Sequence, residues 1–573
     1  MNPAIIPIAT AVDFAQQHRK KPKGRQIDSR SMSEVLAVLG GETLRRDLLI
    51  EYLHLLQDHL GCLPKTHLAA LAECLKLSQT EVFEVATFYH HFDVVDSKSS
   101  GNHTLTVRLC NGPACCMAGA QGLIDQLPAL LGSTVRVQAV PCIGRCEQAP
   151  AAAVGQHEMG WANHHDIMEA AFGQHTKPLP TRHTGLAQYK AAGGYQLLHE
   201  CVTGTRTVES VIDTLSNSGL RGLGGAGFPA GKKWAIVREQ HAPRLMAVNI
   251  DEGEPGTFKD RSYLEHNPHQ FLEGMLIAAW AVQASAIYIY LRDEYHACRA
   301  MLQNELALLK AKPPISNMPA IELRRGAGAY ICGEESAMLE SIEGKRGLPR
   351  LRPPYVAQVG LFNKPTLVHN FETLYWVPTI LEKGASWFSK QGRHGRSGLR
   401  SYSVSGRVKK PGVHLAPTGI TLNELISEYC DGMQPGHTLY GYLPGGASGG
   451  ILPAALADVP LDFDTLQPHG CFIGSAAVVV FSQADSAVNM ARNLMRFFVH
   501  ESCGQCTPCR TGTAKALALI NQPRWNVPLL RELSAVMRDA SICGLGQAAP
   551  NPIDCVIRYF PQELEFGARG SQS

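Results

Sequence analysis

The spacing of apolar residues changes several times along the chain, and each change predicts a different kind of element. From Leu44 to Phe92 apolar residues recur every three or four positions, which predicts a small helical module. The Ser78-x-x-Glu81 pattern within it is typical of a helix N-terminus. Between about 103 and 176, HTLTVRLC and TVRVQAVPC predict strands, and AQGLIDQLPALL predicts a helix between them. Such alternation predicts a small α/β layer domain.

A longer α/β region follows a linker rich in Pro, Thr and His. There RLMAVNI and SAIYIYL predict buried strands, and HQFLEGMLIAAWAV predicts the helix between them. SYSVSGRVKKPGVHLAP predicts a hairpin and TLNELISEYC a helix, which together predict a β-rich insert of α+β type. From Ser486 onward the spacing is helical again, so the sequence predicts a multidomain α/β protein with a helical last region.

Composition changes this picture little until the cysteines are considered. The 573 residues include 53 basic and 50 acidic side chains, so no overall field marks the chain as a nucleic-acid binder. A basic run from Arg19 to Arg25 predicts a solvated tail more than a docking arm. The uncharged stretch Gly274–Leu291 predicts a buried helix and strand better than a membrane span. The first residues lack a secretory-signal pattern, so the 17 cysteines predict a reducing, cytoplasmic compartment.

The most specific chemical motif is a run of three closely spaced cysteines. Cys503, Cys506 and Cys509 have C-x-x-C-x-x-C spacing, and Cys543 is a candidate fourth ligand farther along. Short spacings let thiolates converge on one centre, as they do around iron–sulfur clusters. Zinc is the main alternative, although a tetrahedral zinc site normally takes its ligands as two and two. The motif therefore predicts a 4Fe-4S cluster.

A second cysteine set has the spacings Cys110-x4-Cys115 and Cys142-x3-Cys146, and each pair follows a predicted strand directly. Four thiolates from two neighbouring loops predict a 2Fe-2S site. Zinc or a redox disulfide remains an alternative, and spacing alone does not choose between Cys115 and Cys116.

A glycine-rich segment, SGLRGLGGAGFPAGKKW, predicts backbone lying close to a large flat or phosphorylated cofactor. Gly222, Gly224 and Gly227 match the dinucleotide pattern G-x-G-x-x-G. The residues before it have helical rather than strand spacing, however, and Phe228-Pro229 follows where that pattern requires a helix to begin. The segment therefore predicts a cofactor loop that is not an ordinary Rossmann turn.

Two further segments place polar groups near such a cofactor. Asn249, Asp251, Glu252 and Glu254 follow a predicted strand, and ligands of open α/β sheets lie beyond the carboxyl ends of strands. In GAGAYICGEESA two glycines precede Tyr330, and a Gly-Glu-Glu triplet opens a helix. Carboxylates at that helix start would compete with phosphate for its amides, so they suit ribose hydroxyls or a ring edge better.

These segments, with PRLRPPY, PTLVHNFETL and ESCGQCTPCR, occur in an order that resembles the flavin- and NAD-binding subunit of respiratory complex I and its soluble relatives. Region 41–175 resembles the thioredoxin-like 2Fe-2S subunit that partners it, and here the two are fused. The resemblance favours Cys115 over Cys116 as the cluster ligand. Positions that match FMN-seating residues are Gly222, Gly224, Lys233, Asn249, Glu252, Tyr330, Gly333, Glu334, Asn370 and Thr373. Positions that match nicotinamide-nucleotide contacts are Phe228, Glu254, Glu335, Arg352 and Tyr355.

These assignments make physical sense, but four positions depart from the complex I pattern. Lys233 and the helix-start groups can neutralise a phosphate, and Phe228 and Tyr355 offer faces for stacking adenine. The departures are Leu223 where Arg is common, Ile236 where a second stacking aromatic is expected, Arg352 where Lys is usual, and His369 where Asn precedes Asn370.

The resemblance implies a multidomain α/β fold with a helical module, a thioredoxin-like 2Fe-2S domain, a Rossmann-like FMN/NAD domain, a β-grasp-like (α+β) insert and a C-terminal helical bundle with a 4Fe-4S cluster. The predicted boundaries are 1–40 for an extension that is disordered alone or lies on a partner, 41–98 for the helical module, 99–176 for the thioredoxin-like domain, 177–200 for a linker, 201–396 for the FMN- and NAD-binding domain, 397–484 for the insert and 485–573 for the helical 4Fe-4S domain.

The implied function is that of a diaphorase subunit, which exchanges hydride between NAD(H) and FMN and single electrons between FMN and the 4Fe-4S cluster. Flavin is the necessary converter because nicotinamide exchanges two electrons as hydride, whereas iron–sulfur centres take one at a time. KPKGRQID, LRGLGGAGFPAG and PTLVHNFETLYWV most resemble the β subunit of molybdenum- or tungsten-dependent formate dehydrogenases, which implies a formate-oxidising α subunit as partner. NAD-reducing hydrogenase and fused complex I subunits are alternatives, and a zinc-binding scaffold is a non-catalytic one.

Overall fold

The structure is a computed structural model that describes residues 24–40, 44–96, 103 and 105–566, and the chain divides into two compact units between residues 102 and 103. The first unit is a helical module. Its elements are the helices α1 (Ser29–Leu39), α2 (Leu49–Leu60), α3 (Lys65–Leu75) and α4 (Gln79–Phe88) and the parallel strand pair β1 (Leu63–Pro64) and β2 (Val94–Val95). The Ser78 hydroxyl accepts a hydrogen bond from the Glu81 amide at 3.1 Å, so the predicted cap of α4 is present.

Helix α1 lies within the extension that is predicted to be disordered alone or to lie on a partner, and it shows that residues 29–39 are helical; residues 1–23 lie outside the described residues. The Asp28 carboxylate caps this helix by accepting from the Ser31 amide at 2.7 Å, and Val35 is fully buried. Its Glu34 carboxylate lies 2.9 Å from Nε2 of His67 on α3. The helix therefore forms because it can bury one face on α3. Of the predicted basic run, the described part contains only Arg25.

The second unit begins with a sheet in the order β4-β3-β5-β6, in which β3 and β4 are parallel and the other pairs antiparallel. Val107, Leu127 and Ile167 are fully buried in its core. The elements are the strands β3 (Leu105–Cys110), β4 (Val135–Val140), β5 (Ala152–Val154) and β6 (His157–Met159) and the helices α5 (Pro113–Met117), α6 (Ala120–Leu131) and α7 (His164–Phe172). The predicted alternation of strands and helices is confirmed here.

The predicted linker 177–200 is shorter in the structure, because helices α8 (Leu186–Ala191) and α9 (Gln196–Val202) lie within or across its end. Leu186, Tyr195 and Leu198 are buried in the core of the following α/β region. These short segments form helices because they bury apolar side chains there, and within 177–200 the residues outside helices are 177–185 and 192–195.

That α/β region contains a fully parallel sheet in the order β10-β7-β8-β9. Strands β8 and β9 follow on one side of β7, whereas β10 pairs with the other side of β7. The direction of strand order therefore reverses between β7 and β10, which makes this position a topological switch point. The strands are β7 (Arg244–Ile250), β8 (Ala284–Leu291), β9 (Ala320–Arg325) and β10 (Thr366–Asn370). The helices are α10 (Val208–Ser218), α11 (Ala230–Arg238), α12 (Lys259–His266), α13 (Pro268–Val282), α14 (His296–Ala311), α15 (Glu335–Ile342), α16 (Phe371–Lys383) and α17 (Ala385–Ser389).

The predicted β-rich insert is a mixed sheet with one helix on it, and the predicted hairpin is its antiparallel pair β11–β12. Its elements are β11 (Leu399–Gly406), β12 (Gly412–Pro417), α18 (Leu422–Tyr429), β13 (Leu439–Leu443), β14 (Leu452–Pro453) and β15 (Ala477–Ser482), in the sheet order β12-β11-β15-β13-β14. Thr421 and Glu424 form a reciprocal capping box at the start of α18. The insert is therefore of α+β type, and the β-grasp-like assignment stays a prediction.

The last described region is helical, as its apolar spacing predicts. Its helices are α19 (Ala487–Glu501), α20 (Thr507–Ile520), α21 (Val527–Ala540), α22 (Gly544–Ala548), α23 (Asn551–Tyr559) and α24 (Pro561–Phe566). Across the described ranges, no helix is both long and apolar enough to cross a membrane.

Candidate functional site

A cavity of about 350 Å³ opens at the carboxyl ends of β7 and β10, which is the expected place for a ligand in an open α/β sheet. Asn249 lies near the end of β7 and Asn370 ends β10, and the register pairs these two residues directly. Seven of the residues predicted to seat FMN line the cavity, namely Gly224, Asn249, Glu252, Tyr330, Gly333, Glu334 and Asn370. The three that do not are Gly222, Lys233 and Thr373.

The glycine loop between α10 and α11 forms one wall, and it follows a helix rather than a strand. Gly222 donates its amide to the Phe228 carbonyl at 2.8 Å, and the Leu223 amide donates to the Thr373 hydroxyl at 2.9 Å. Gly222 and Thr373 therefore shape the loop from behind instead of lining the cavity. A Cβ at Gly224 would lie 2.9 Å from the Asn370 Cβ, so only glycine lets the two walls approach so closely.

Leu223, which replaces an expected arginine, is a core residue with 5% of its surface exposed. The neighbouring Arg221 supports the loop instead. Its guanidinium donates to the Gly227 carbonyl at 2.5 Å and lies 4.4 Å from the ring centre of Phe463 in the insert. The departure at Leu223 is thus explained by packing.

We expect the substitution Gly224→Ala to weaken FMN binding about tenfold, because overpacking a tight contact costs about 1–3 kcal/mol. Flavin content after dialysis of the purified protein measures this. Gly122→Ala is the control, since a Cβ there would meet nothing nearer than 3.9 Å. Equal flavin retention in both variants would contradict the close approach at Gly224.

Glu252 organises the inner wall rather than pointing a free carboxylate at a ligand. It accepts from the backbone amides of Asp260 at 2.8 Å and Arg261 at 3.1 Å, at the start of α12, and from the Tyr295 hydroxyl at 2.8 Å. Burial, with the nearby Asp260, raises the pKa of Glu252 to about 7. Its predicted contact with FMN stays a prediction.

A buried charge cluster that the sequence did not reveal lies beside it. The Lys259 ammonium is 1% exposed and lies 2.7 Å from Asp260 and 3.0 Å from Glu372. Asp260 accepts in turn from the Asn370 amide nitrogen at 2.7 Å. The cluster therefore holds Asn370 at the cavity wall. Its sequence signal is weak, because adjacent Lys and Asp residues are ordinary on exposed helix starts.

The opposite wall comes from the insert, which sequence reasoning did not connect with the cofactor. Glu254 accepts from the Ser448 amide at 2.7 Å and from the hydroxyls of Ser448 and Tyr330. Gly445, Phe472 and other insert residues also line the cavity. Burial raises the pKa of Glu254 to about 7. The glycine-rich segment LPGGASGG was the available signal for this wall.

The cavity also contains an unsatisfied acceptor. Oδ2 of Asp251 is buried and has no hydrogen-bond partner within the described part of the chain, and burial raises the pKa of this carboxyl well above its ordinary value. A buried polar atom without a partner is costly, so a ligand that supplies hydroxyl or N–H groups fits here. The ribityl chain and ring edge of FMN carry such groups, and the glycine wall leaves room for a flat ring. The residues present thus fit FMN.

Four of the five predicted nucleotide contacts, Phe228, Glu335, Arg352 and Tyr355, lie on the more exposed side of this site, whereas Glu254 is hydrogen-bonded to Ser448 and Tyr330 in the cavity wall. Phe228 is 40% and Tyr355 55% exposed, so part of each ring is accessible to a ligand. Arg352 pairs with Glu334 and with Glu335 at 3.0 Å, and Glu335 lies 3.8 Å from the Lys233 ammonium. Glu334 occupies the amides at the start of α15, so these amides do not hold a phosphate.

His369 is a buried neutral side chain behind Lys233. The Trp234 indole N–H donates to its Nε2 at 2.8 Å, so this nitrogen is an acceptor. Burial, together with the Lys233 cation, holds the pKa of His369 well below its ordinary value.

We expect His369 to make the protein less stable in acid. The unfolded chain takes up a proton at this residue below about pH 6.5, whereas the folded protein does not, so stability falls by up to about 1.4 kcal/mol per pH unit. His369→Asn keeps an acceptor for Trp234 but cannot be protonated. The thermal midpoint of the parent should therefore drop more between pH 8 and pH 5 than that of the variant, and parallel drops would contradict this.

The structure brings the four predicted 2Fe-2S ligands together. The Cys110 thiol is within hydrogen-bonding reach of the Cys115 and Cys142 thiols, the Cys142 and Cys146 sulfurs are 3.1 Å apart, and all four are buried. The Cys116 sulfur lies apart, 3.1 Å from the Asn111 carbonyl, and accepts from Asn493. A buried set of four thiols fits a 2Fe-2S cluster.

The other predicted ligands converge where two helices begin. Cys506 precedes α20, Cys543 precedes α22, and the thiols of Cys503, Cys506 and Cys543 all act electrostatically on Cys509. The Leu545 and Gly546 amides donate to the Cys543 sulfur. Gly544 and Leu545 also line the flavin cavity, so Cys543 lies directly behind its wall. This thiol set fits a 4Fe-4S cluster.

Comparisons with known proteins agree with this geometry. Three family models match, described as the Nuo51 FMN-binding domain over residues 215–379, the NADH-ubiquinone oxidoreductase-F iron-sulfur binding region over 489–567, and the thioredoxin-like [2Fe-2S] ferredoxin over 35–171. The second F-type subunit of the NADH-quinone oxidoreductase of Rhizobium meliloti (strain 1021) is 40% identical over 395 residues, which span 66% of this chain and 93% of that protein.

The chain belongs to the family of NADH-quinone oxidoreductase F-type subunits. The mitochondrial NADH dehydrogenase [ubiquinone] flavoprotein 1 of Dictyostelium discoideum is also 40% identical, over 62% of this chain and 78% of that protein. Among solved structures, a chain of an NAD+-reducing [NiFe]-hydrogenase in the H2-reduced state matches 92% of this chain and 93% of its own length, with a TM-score of 0.80 and 31% identity.

The predicted cofactor set of FMN, NAD(H), a 2Fe-2S cluster and a 4Fe-4S cluster matches this family, and the thioredoxin-like, FMN-binding and 4Fe-4S regions are confirmed. The chain is an NADH dehydrogenase flavoprotein, or diaphorase-type subunit. The domain boundaries and the role of each site residue stay predictions.

Proposed function

We propose that this chain exchanges electrons between NAD(H), bound at the exposed side of the flavin cavity, and a partner subunit reached through the cluster of Cys503, Cys506, Cys509 and Cys543. The observation that carries the proposal is that the flavin cavity adjoins both thiol sets. Gly544 and Leu545 separate the cavity from Cys543, and segment 253–258 separates it from Cys142 and Cys146.

The residues of this chain would bind the flavin and the nucleotide, orient them relative to each other and exclude water from the cavity. FMN, when bound, supplies the conversion between hydride and single-electron transfer. The glycine loop, Asn249 and Asn370 form a flat wall, and Glu254 locks Tyr330 to Ser448 on the other side. Lys233 and Arg352 offer cations for nucleotide phosphates, and Phe228 and Tyr355 offer ring faces for adenine. Positioning and electrostatics are thus the contribution of the protein.

The cluster of Cys110, Cys115, Cys142 and Cys146 is a second electron acceptor or store in this proposal. Its Cys142 and Cys146 side chains lie beside the buried ring of Phe258, at the end of the segment that forms the cavity wall. A thiol set that is buried and next to the flavin wall suits electron transfer better than metal storage.

The partner subunit is the finer part of the proposal. The sequence favours a molybdenum- or tungsten-dependent formate dehydrogenase α subunit, but the comparisons support the alternatives better. The hydrogenase chain matches 92% of this chain, whereas the F-type relatives match about two thirds of it or less. We therefore place the chain in a cytoplasmic multisubunit complex of the NAD-reducing hydrogenase type, with complex I and formate dehydrogenase as the other candidates.

Two measurements test this function. Visible absorption of the purified protein should show a yellow-brown flavin and iron–sulfur spectrum that NADH partly bleaches, whereas a zinc scaffold would be colourless. Purification with native partners should then give NAD reduction driven by hydrogen. Reduction driven by formate alone would instead support the formate dehydrogenase partner, and a protein that NADH cannot bleach would defeat the proposal as a whole.

A further inference from the structure

One buried arginine connects the two halves of this electron-transfer site. Arg292 follows β8 directly, is 4% exposed, and donates one arm of its guanidinium to the Cys142 carbonyl at 2.6 Å. The other arm donates to the Glu252 carbonyl. A single side chain therefore joins the loop of a predicted 2Fe-2S ligand to the wall of the flavin cavity.

Neighbouring groups hold this connection in place. The Tyr295 ring lies 5.0 Å from the Arg292 guanidinium, and its hydroxyl donates to the Glu252 carboxylate at 2.8 Å. Gly144 has a positive φ of 79°, and a Cβ there would lie 2.5 Å from the Tyr295 ring. Glycine is thus required for the cysteine loop to rest on Tyr295. Arg261 donates to the Gly144 carbonyl at 2.8 Å and fixes the same loop from its other side.

Arg292 is also a permanent charge beside the cluster. An arginine stays protonated in proteins, and the Glu294 carboxylate pairs with the Arg292 guanidinium at 3.0 Å. Glu294 is 27% exposed, whereas the Arg292 side chain is 4% exposed, so solvent screens the carboxylate more than the guanidinium. The guanidinium donates to the Cys142 carbonyl at 2.6 Å, so its positive charge lies directly beside the loop of this predicted ligand.

We propose that Arg292 is a positioning residue that ties the 2Fe-2S loop to the flavin wall and raises the reduction potential of the 2Fe-2S cluster held by Cys110, Cys115, Cys142 and Cys146. The physical reason is that reduction adds one electron to the cluster, and a buried positive charge nearby stabilises the added negative charge. The inference rests on the proposed function, because it concerns the electron store beside the flavin.

The test is a redox titration of the full-length holoprotein, in which the electron paramagnetic resonance signal of the reduced 2Fe-2S cluster is measured at each potential. Arg292→Gln should lower the ratio of reduced to oxidised cluster about tenfold at a fixed potential, which equals about 59 mV for a one-electron couple. Arg292→Lys keeps the charge and should stay within about threefold of the parent. An unchanged ratio in Arg292→Gln with the cluster bound would overturn the proposal.

Arg244→Gln is the matched control. Arg244 also donates to backbone carbonyls, of Gln240 and Val282, but it begins β7 at the amino end of the same sheet. Seven residues of strand separate the two ends by roughly 20 Å, which is about two Debye lengths. Its removal should leave the ratio unchanged, and an equal drop in this variant would overturn a local role for Arg292.

If Arg292→Gln does not retain its 2Fe-2S cluster, Arg292→Lys is the variant that tests the proposal. A lysine variant with the parental ratio, or one that loses only the 2Fe-2S signal while FMN and the 4Fe-4S cluster remain, supports the tie to Cys142. A lysine variant with the same tenfold drop, or one that loses all three groups, overturns the assignment. Bleaching of the parent by NADH separately tests the proposed function, because the titration uses a chemical reductant and does not depend on NADH.

Discussion

Replacing Cys506 by serine (Cys506→Ser) is expected to abolish electron transfer to the partner subunit while NADH still bleaches the flavin. Cys506 is one of the thiols that converge behind the cavity wall at Gly544 and Leu545, and it lies outside the flavin cavity itself. Loss of a residue that hydrogen-bonds to a metal ligand lowers metal affinity or activity roughly 10–100-fold, so loss of a ligand itself should lower electron transfer by more than that range. Partner-coupled NAD reduction and the absorption of the flavin after NADH addition measure the two effects separately.

The control for this variant is Cys116→Ser. Both thiols are partly exposed, but Cys116 belongs to neither converging set and contacts the Asn111 carbonyl and Asn493. We expect the control to retain partner-coupled activity and both cluster signals. Transfer to the partner that survives in Cys506→Ser would show that electrons leave by another route.

Replacing Lys259 by methionine (Lys259→Met) is expected to lower the free energy of unfolding by about 3–5 kcal/mol, because breaking a buried ion pair leaves uncompensated charge. Glu372 is fully buried, and Asp260 is 2% exposed at its side chain, so water cannot replace the ammonium. The loss should also release Asn370 and reduce the flavin content. Chemical denaturation and flavin content after dialysis measure the two effects.

Lys410→Met is the control, since Lys410 pairs with Asp431 at 2.6 Å but both side chains are more than half exposed. An exposed pair contributes about 0–1 kcal/mol, so this variant should resemble the parent. The double variant Lys259→Met/Glu372→Gln should recover part of the lost stability, because it removes one unpaired charge. Equal stability of Lys259→Met and Lys410→Met would show that the cluster is not held by the ammonium.

The fold was predictable where periodicity is strong. The strands RLMAVNI and SAIYIYL, the hairpin around SVSG and the C-terminal helices occur as predicted. The two strands are short continuous apolar runs, which are typical of strands buried on both faces, and the helices have sustained apolar spacing of three and four. The extension and the linker were predicted less well. Helices α1, α8 and α9 are short, so their apolar spacing gives little signal. They are stabilised by the burial of single residues such as Val35 and Leu198 against other elements.

The candidate site was predictable where its residues are adjacent in sequence. The C-x-x-C-x-x-C run, the Gly222–Gly227 loop and the acids after β7 each carry their chemistry within a few positions, so the kinds of cofactor could be predicted from the chain. Residue roles within the loop could not. Leu223 is core and Gly222 braces the turn, since sequence spacing does not say which side of a loop faces a ligand.

The amino-acid sequence by itself thus determined that this protein carries two clustered thiol sets and a glycine-lined cofactor loop on an α/β scaffold. Only the tertiary structure decided that the Ser448 loop closes the cavity, that Cys116 stands apart from its neighbour, and that Arg292 joins Cys142 to Glu252. The physical reason is that most of these contacts join residues far apart in the sequence, and packing against the distant Asn493 likewise decides the orientation of Cys116. Local spacing contains no information about such distant partners.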